Sequence, residues 1–167
     1  ARQGIESDFH PVHRLDRGTS GLMVAAKHPH AQEILRQQLH SGGFRRQYLA
    51  LCMGTPDLAE GVIDAPIGPV EGSLIQRQVR PDGAPARTRY RVELDTGRTH
   101  QIRVHLAHIG HPLIGDFLYG QEEPELISRP ALHSAELWIT QPLTGEELHF
   151  SLPLPEDMRQ LMTKNGG

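Results

Sequence analysis

The sequence predicts an α+β fold, a mixed and largely antiparallel sheet flanked by a few helices. Three observations carry this. Apolar runs of strand length are mixed with stretches of helical periodicity, without the regular alternation that builds a parallel sheet. Seventeen glycines and thirteen prolines are scattered along the chain, the pattern of many short elements joined by turns. At 167 residues the chain suits one domain, which at this size buries about two-thirds of its unfolded surface.

The elements follow in order. Gly21 to Lys27 is a short apolar run that reads as a buried strand. His28-Pro29 opens a helix whose apolar positions Ala31, Ile34, Leu35 and Leu39 share one face, and Gly42-Gly43 ends it. Phe44 to Met53 reads as a strand with Tyr48, Ala50 and Cys52 on one face. Residues 54–85 are turn-rich, and Arg87 to Leu94 resumes a strand. Thr99 to Ile109 fits either a strand or a helix by periodicity. Gly110 followed by Pro112 is a helix stop, so a helix capped by Thr99 is expected. Ala131 to Thr140 and Glu147 to Leu152 read as paired strands around Pro142-Leu143-Thr144-Gly145, and Glu156 to Thr163 as a terminal helix.

Composition excludes several classes. The longest apolar run, Leu22 to Ala26, is far short of the ~20 residues that span a bilayer. Cys52 is the single cysteine, so no internal disulfide or zinc ribbon is available and a reducing compartment is expected. Ala1-Arg2-Gln3-Gly4 lacks the apolar stretch of a signal peptide, and a cytoplasmic protein is the expectation. The net charge is −3, which argues against simple coating of nucleic acid. The distribution is uneven: residues 1–103 carry net +3 and residues 104–167 net −6, and seven arginines lie within 77–103. A basic working face with an acidic back would produce this, as would ordinary surface composition.

Two stretches carry chemistry. In His13-Arg14-Leu15-Asp16-Arg17-Gly18-Thr19-Ser20-Gly21 an acid sits among arginines before a glycine-rich turn. A carboxylate among guanidinium groups is held as the anion, which suits a nucleophile better than a general acid. The same pattern also suits a surface ion pair of at most about 1 kcal/mol. In Thr96-Gly97-Arg98-Thr99-His100-Gln101-Ile102-Arg103 a glycine turn feeds a helix N-terminus, whose free N–H groups bind anions such as a backbone phosphate. His100, His105, His108 and His111 invite a metal reading, but no acidic residue lies between Asp95 and Asp116 to complete a ligand set, and no metal is expected.

Together the two stretches, about 75 residues apart, resemble the RluA-type pseudouridine synthases. The similarity extends through Arg46-Gln47-Tyr48-Leu49-Ala50, Gly110-His111-Pro112-Leu113-Ile114-Gly115-Asp116, Tyr119-Gly120, Ala131-Leu132-His133-Ser134 and Pro142-x-Thr144-Gly145, covering about residues 8 to 163. The resemblance implies a catalytic domain with a central RNA-binding cleft and isomerisation of uridine to pseudouridine in ribosomal or transfer RNA, without cofactor. It implies Asp16 as the essential aspartate, with attack at C1′, addition at C6 and a glycal route all open. Tyr48 would stack on the uracil and take part in proton transfer, and Arg103 would ion-pair with Asp16. His13, Arg14, Arg98, Thr99, His100 and Gln101 would bind RNA, Arg14 near the vacated base stack. A base must leave its stack to be worked on, at a cost of a few kcal/mol, part of which an aromatic platform recovers.

The chain also departs from that pattern. Relatives usually carry two strands ahead of the His-Arg-Leu-Asp motif, and many carry a separate RNA-binding domain in front. They also have two strands with a turn where this chain has one short run, Tyr90 to Gly97. Residues 1–167 therefore read as one catalytic domain from which segments are omitted, with a backbone break expected near Val92–Glu93, and as a monomer by default. The competing readings are a catalytically silent RNA-binding module on the same scaffold and a metal-dependent hydrolase using the histidines.

Overall fold

The computed structural model describes residues 9–54, 56–58, 60–90, 93–94 and 100–164. Its elements are β1 (His10–Pro11), β2 (Ser20–Gly21), β3 (Ala25–Ala26), α1 (Pro29–Ser41), β4 (Arg45–Ala50), β5 (Gly61–Asp64), β6 (Ile67–Pro69), β7 (Arg77–Val79), β8 (Arg87–Tyr90), β9 (Glu93–Leu94), α2 (Gln101–His108), β10 (Leu132–Thr140), β11 (Glu147–Ser151) and α3 (Glu156–Lys164).

Strand β10 is the hub. It pairs antiparallel with β11 on one side and with β4 on the other, and its start runs parallel to β2. Its outer half alternates, with Leu137 and Ile139 buried and Glu136, Trp138 and Thr140 less so, as a strand with one solvated face should. Three smaller antiparallel units surround it: β1–β3, β5–β8–β9 and β6–β7. The expected mixed, mainly antiparallel sheet is therefore present.

Helix α1 starts as its sequence demands. His28 is extended and its ring Nδ1 accepts the Ala31 N–H at 3.4 Å. Pro29 occupies the first turn, where its missing N–H costs nothing, and Gly42 closes the helix at φ 83°. Leu35, with Ala31 and Leu39, packs on Phe44, Leu137 and Ile139. Helix α3 buries Met158 and Leu161 against Ile114, Ile127 and Ala131. Helix α2 contributes Ile102 and Leu106 to a cluster with Tyr48, Ile63, Leu113 and Leu132, and Leu15 packs on its edge. The residue beside Asp16 is thus anchored in the core.

Several expected elements divide. The run 21–27 is two short strands in different sheets. Gly21 has φ 116°, and a Cβ there would lie 2.3 Å from the Ser134 oxygen and 2.5 Å from its nitrogen. Only glycine lets the chain lie against β10 and then turn away to pair with β1. The run 87–94 is also two strands, since Thr88 pairs with Leu94 and Arg89 with Glu93; the fused single strand is corrected to the family's two. The break expected at Val92–Glu93 lies outside the described residues. Strand β4 stops at Ala50, short of Met53. The turn-rich stretch 54–85 hides three short strands, β5 to β7, which glycines and prolines mask in the pattern.

Candidate active site

Asp16 stands in the loop between β1 and β2, held by a turn in which Thr19 N–H donates to the Asp16 carbonyl at 2.9 Å. Gly18, at φ 85°, abuts Pro130. Its carbonyl accepts from Arg129 at 3.2 Å, while the same guanidinium reaches the Pro130 and Leu132 carbonyls and grips Asp157 of α3 through two 2.8 Å bonds. One arginine thus ties the loop, the start of β10 and the last helix together.

The Asp16 carboxylate lies at the N-terminus of α2. Its Oδ2 accepts the His100 backbone N–H at 3.1 Å, and its Oδ1 is 3.9 Å from His100 Nε2. Helix N-termini stabilise anions, so the end of α2 expected to serve a phosphate holds the protein's own carboxylate. His100 pays for this position with a left-handed backbone, φ 57°, the one such non-glycine residue among those described, a conformation that costs roughly 1–2 kcal/mol. The side chain of Asp16 is 16% exposed, so a substrate can reach it.

Tyr48 faces the same region from β4. It pairs across the ladder with Ser134, next to a register shift between Ser134 and Glu136, a distortion of the kind that re-aims side chains at sites. The phenol is buried. Burial raises its pKa, with the Asp16 charge adding to the rise, while Arg46 and the Ser134 hydroxyl oppose it. The ring is therefore a neutral phenol, a flat apolar surface with one hydrogen-bonding oxygen.

The RNA pseudouridylate synthase family model matches residues 2–108. An uncharacterized RNA pseudouridine synthase of Bacillus subtilis (strain 168) is 46% identical over 95% of this chain and 60% of its own length. The chain belongs to the RluA-type RNA pseudouridine synthase family. The ribosomal large subunit pseudouridine synthase D of Nitrosomonas europaea is 44% identical over 90% of this chain and 49% of its own length. The chain thus spans about half to three-fifths of these curated relatives. Human RNA pseudouridylate synthase domain containing 1 superposes with TM-score 0.72 at 25% identity, covering 93% of this chain and 79% of that one.

Against this pseudouridine synthase frame, the structure brings Asp16, Tyr48 and His100 together and redistributes other expected residues. Arg103 is 1% exposed and makes a bidentate pair with Asp116, at 2.8 Å and 2.6 Å. The expected ion pair with Asp16 is corrected: both Asp116 oxygens accept from Arg103, and the guanidinium lies over the Tyr119 ring at 5.1 Å. Gln101 is buried, donating to the Arg87 carbonyl at 2.7 Å and Thr88 Oγ1 at 3.1 Å. It braces α2 against β8, and its assignment as an RNA contact is corrected to that role. Arg14 is exposed, with no carboxylate partner among the described residues, as a phosphate-binding arginine needs. Arg98 and Thr99 lie outside the described residues, and so does the Thr99 cap.

His13 is also used differently than expected. Its Nε2 accepts the Val24 N–H at 3.2 Å and its ring meets Phe44 edge-on. Burial, then the nearby Arg46 charge, pushes its pKa down to about 4. With Nε2 on the backbone and Nδ1 buried, the ring has no exposed polar atom for a phosphate, so its assignment to RNA binding is corrected to fixing the loop against the segment that leads into β3. Because the unfolded chain protonates near 6.5 and the folded chain near 4, stability falls as pH drops through that window and this contribution is flat below it. His13→Gln is expected to reduce the pH slope of the unfolding free energy by up to one proton, about 1.4 kcal/mol per pH unit, measured by urea denaturation across the window.

Two of the clustered histidines serve the fold. His105 is fully buried, with Nε2 on the Ala65 carbonyl at 2.9 Å and Nδ1 on Thr88 Oγ1 at 2.8 Å. His111 reaches the Met53 carbonyl. Sequence reasoning gave no role to Asp116, Tyr119, Ser134 or Arg129, although the first three fall in stretches that resemble the family. The signal was there in Asp116 and Tyr119, polar residues in an apolar, glycine-punctuated loop.

Proposed function

We propose that the protein isomerises uridine to pseudouridine in RNA, with Asp16 as the essential carboxylate. The observation that carries this is the Asp16 carboxylate fixed at the α2 N-terminus in the same cluster of side chains as the Tyr48 phenol. Family membership supports the reaction. In it the C1′–N1 bond breaks, the detached uracil turns, and a C1′–C5 bond forms; C5 gives up its proton and N1 gains one. Atoms and electrons balance within the nucleotide, so no redox partner or group donor is needed, and the reading includes no cofactor.

Each residue has a part. The Asp16 anion faces the electron-poor centre created as the glycosidic bond weakens, and its fixed geometry means little reorganisation is required at that moment. Tyr48, buried before substrate enters, is the residue assigned to stack on the flipped uracil once its ring face is uncovered, a contact worth about 1–3 kcal/mol; held neutral, its hydroxyl exchanges hydrogen bonds rather than acting as a resident phenolate. Arg14, exposed and uncommitted, fills the vacated stack or binds phosphate. The reading includes a monomer that acts on RNA in the cytoplasm.

Large-subunit ribosomal RNA is the first substrate to test, because the relatives from Nitrosomonas europaea and Vibrio cholerae carry that substrate in their names. The test is tritium release from RNA labelled at uridine C5, using the full-length protein with ribosomal and transfer RNAs in parallel. Release from large-subunit ribosomal RNA is expected. Release from transfer RNA alone would move the substrate, and tight binding with release from neither would replace the enzyme by a silent RNA-binding module.

A further inference from the structure

Tyr119 belongs to no role assigned above, yet it sits one hydrogen bond from His100. Its hydroxyl accepts the Arg77 backbone N–H at 2.9 Å and lies 2.7 Å from His100 Nδ1. A phenol has a single hydrogen to give. With Arg77 already donating to the oxygen, Nδ1 is the acceptor within reach for that hydrogen, and in this arrangement neutral His100 carries its own hydrogen on Nε2. This is the nitrogen that faces Asp16 Oδ1 at 3.9 Å, while the His100 backbone N–H holds Oδ2. Contacts of this kind are often long without substrate and tighten when it binds.

The supports are rigid. Arg77 belongs to β7, which pairs with β6. Arg103 lies over the Tyr119 ring, and Asp116 Oδ1 accepts the Leu118 and Tyr119 N–H groups at 3.0 Å and 3.2 Å. The His100 ring meets the Tyr119 ring edge-on. The left-handed backbone of His100 is what lets one residue present both its main chain and its ring to the same carboxylate. Such strain persists only where surroundings enforce it, and it gathers at functional sites.

We propose that Tyr119 and His100 are positioning residues, a Tyr119–His100–Asp16 chain of hydrogen bonds that sets the imidazole tautomer and thereby orients the Asp16 carboxylate for reaction. The inference rests on the reading of Asp16 as the essential carboxylate. It also gives the buried Arg103–Asp116 pair a purpose, since that pair places the tyrosine.

The test uses full-length protein labelled with isotopic nitrogen in histidine, with the His100 signal identified by its loss in His100→Asn. Asparagine tolerates the left-handed backbone and keeps the backbone N–H. In the wild-type protein the ring hydrogen should reside on Nε2. Tyr119→Phe keeps the ring beneath Arg103 and removes only the hydroxyl; it should give mixed tautomers, RNA affinity within about twofold of wild type, and single-turnover tritium release slowed roughly 10- to 100-fold, the scale of a small misplacement. His100→Asn should be slowed at least as much. Hydrogen on Nδ1 in the wild-type protein would overturn the proposal. So would a wild-type rate in folded Tyr119→Phe or, should that variant not fold, in His100→Asn. Asp16→Asn, run beside them, separates the two ideas: turnover without the carboxylate defeats the underlying reading, whereas loss there with normal Tyr119→Phe and His100→Asn defeats only the positioning chain.

Discussion

Asp16→Asn should abolish pseudouridine formation and leave a folded protein that still binds RNA. Asparagine matches the shape of aspartate and keeps an oxygen to accept the His100 N–H, now 3.1 Å from Oδ2. Leu15 stays packed on the core and the Gly18 carbonyl stays on Arg129, so nothing that shapes the loop is removed. Only the negative charge and its lone-pair basicity are lost. The expected fall in tritium release is at least about 10³-fold, equivalent to ~4 kcal/mol of activation free energy. Removing an anion that faces an RNA polyanion should leave affinity equal or higher, as read by filter binding. Turnover within about tenfold of wild type, or ~1.4 kcal/mol, would remove Asp16 from the chemistry.

The largest effect on stability is expected for Asp116→Ala. Arg103 and Asp116 are 1% and 0% exposed, so deleting the carboxylate leaves a guanidinium charge in the core with no counter-charge. Breaking such a pair from one side costs about 3–5 kcal/mol, a large part of the roughly 5–15 kcal/mol that a domain has in total. The Leu118 and Tyr119 N–H groups lose their acceptor as well. Urea unfolding should show the loss directly, and replacing both partners with apolar residues should be milder than Asp116→Ala. A single variant as stable as wild type would mean that the pair is dispensable to the fold.

Sequence periodicity revealed the long elements and missed the short ones. Helix α1 and the β10–β11 hairpin carry their own caps, apolar faces and turn residues, so local pattern and final structure agree. Strands of two to four residues such as β5 to β7 are too short to show a period, and pairing with distant partners defines them. The Asp16 and Tyr48 positions were legible because they stand in long ordered motifs. The partner of Arg103 was not, because helical periodicity says which residues share a face but not which carboxylate from another loop will meet them. Gln101 and His13 were misread for a related reason: polar residues within a motif look like ligand contacts until the backbone groups that they satisfy are visible.

The grip of Arg129 has a consequence in time. The oxygen that it holds at Gly18 and the carboxylate that holds it at Asp157 are 139 residues apart, and translation delivers them in that order. A nascent chain displaying the aspartate motif would have Arg129 without its carboxylate anchor until α3 emerged, so the last brace on that loop is set late in synthesis.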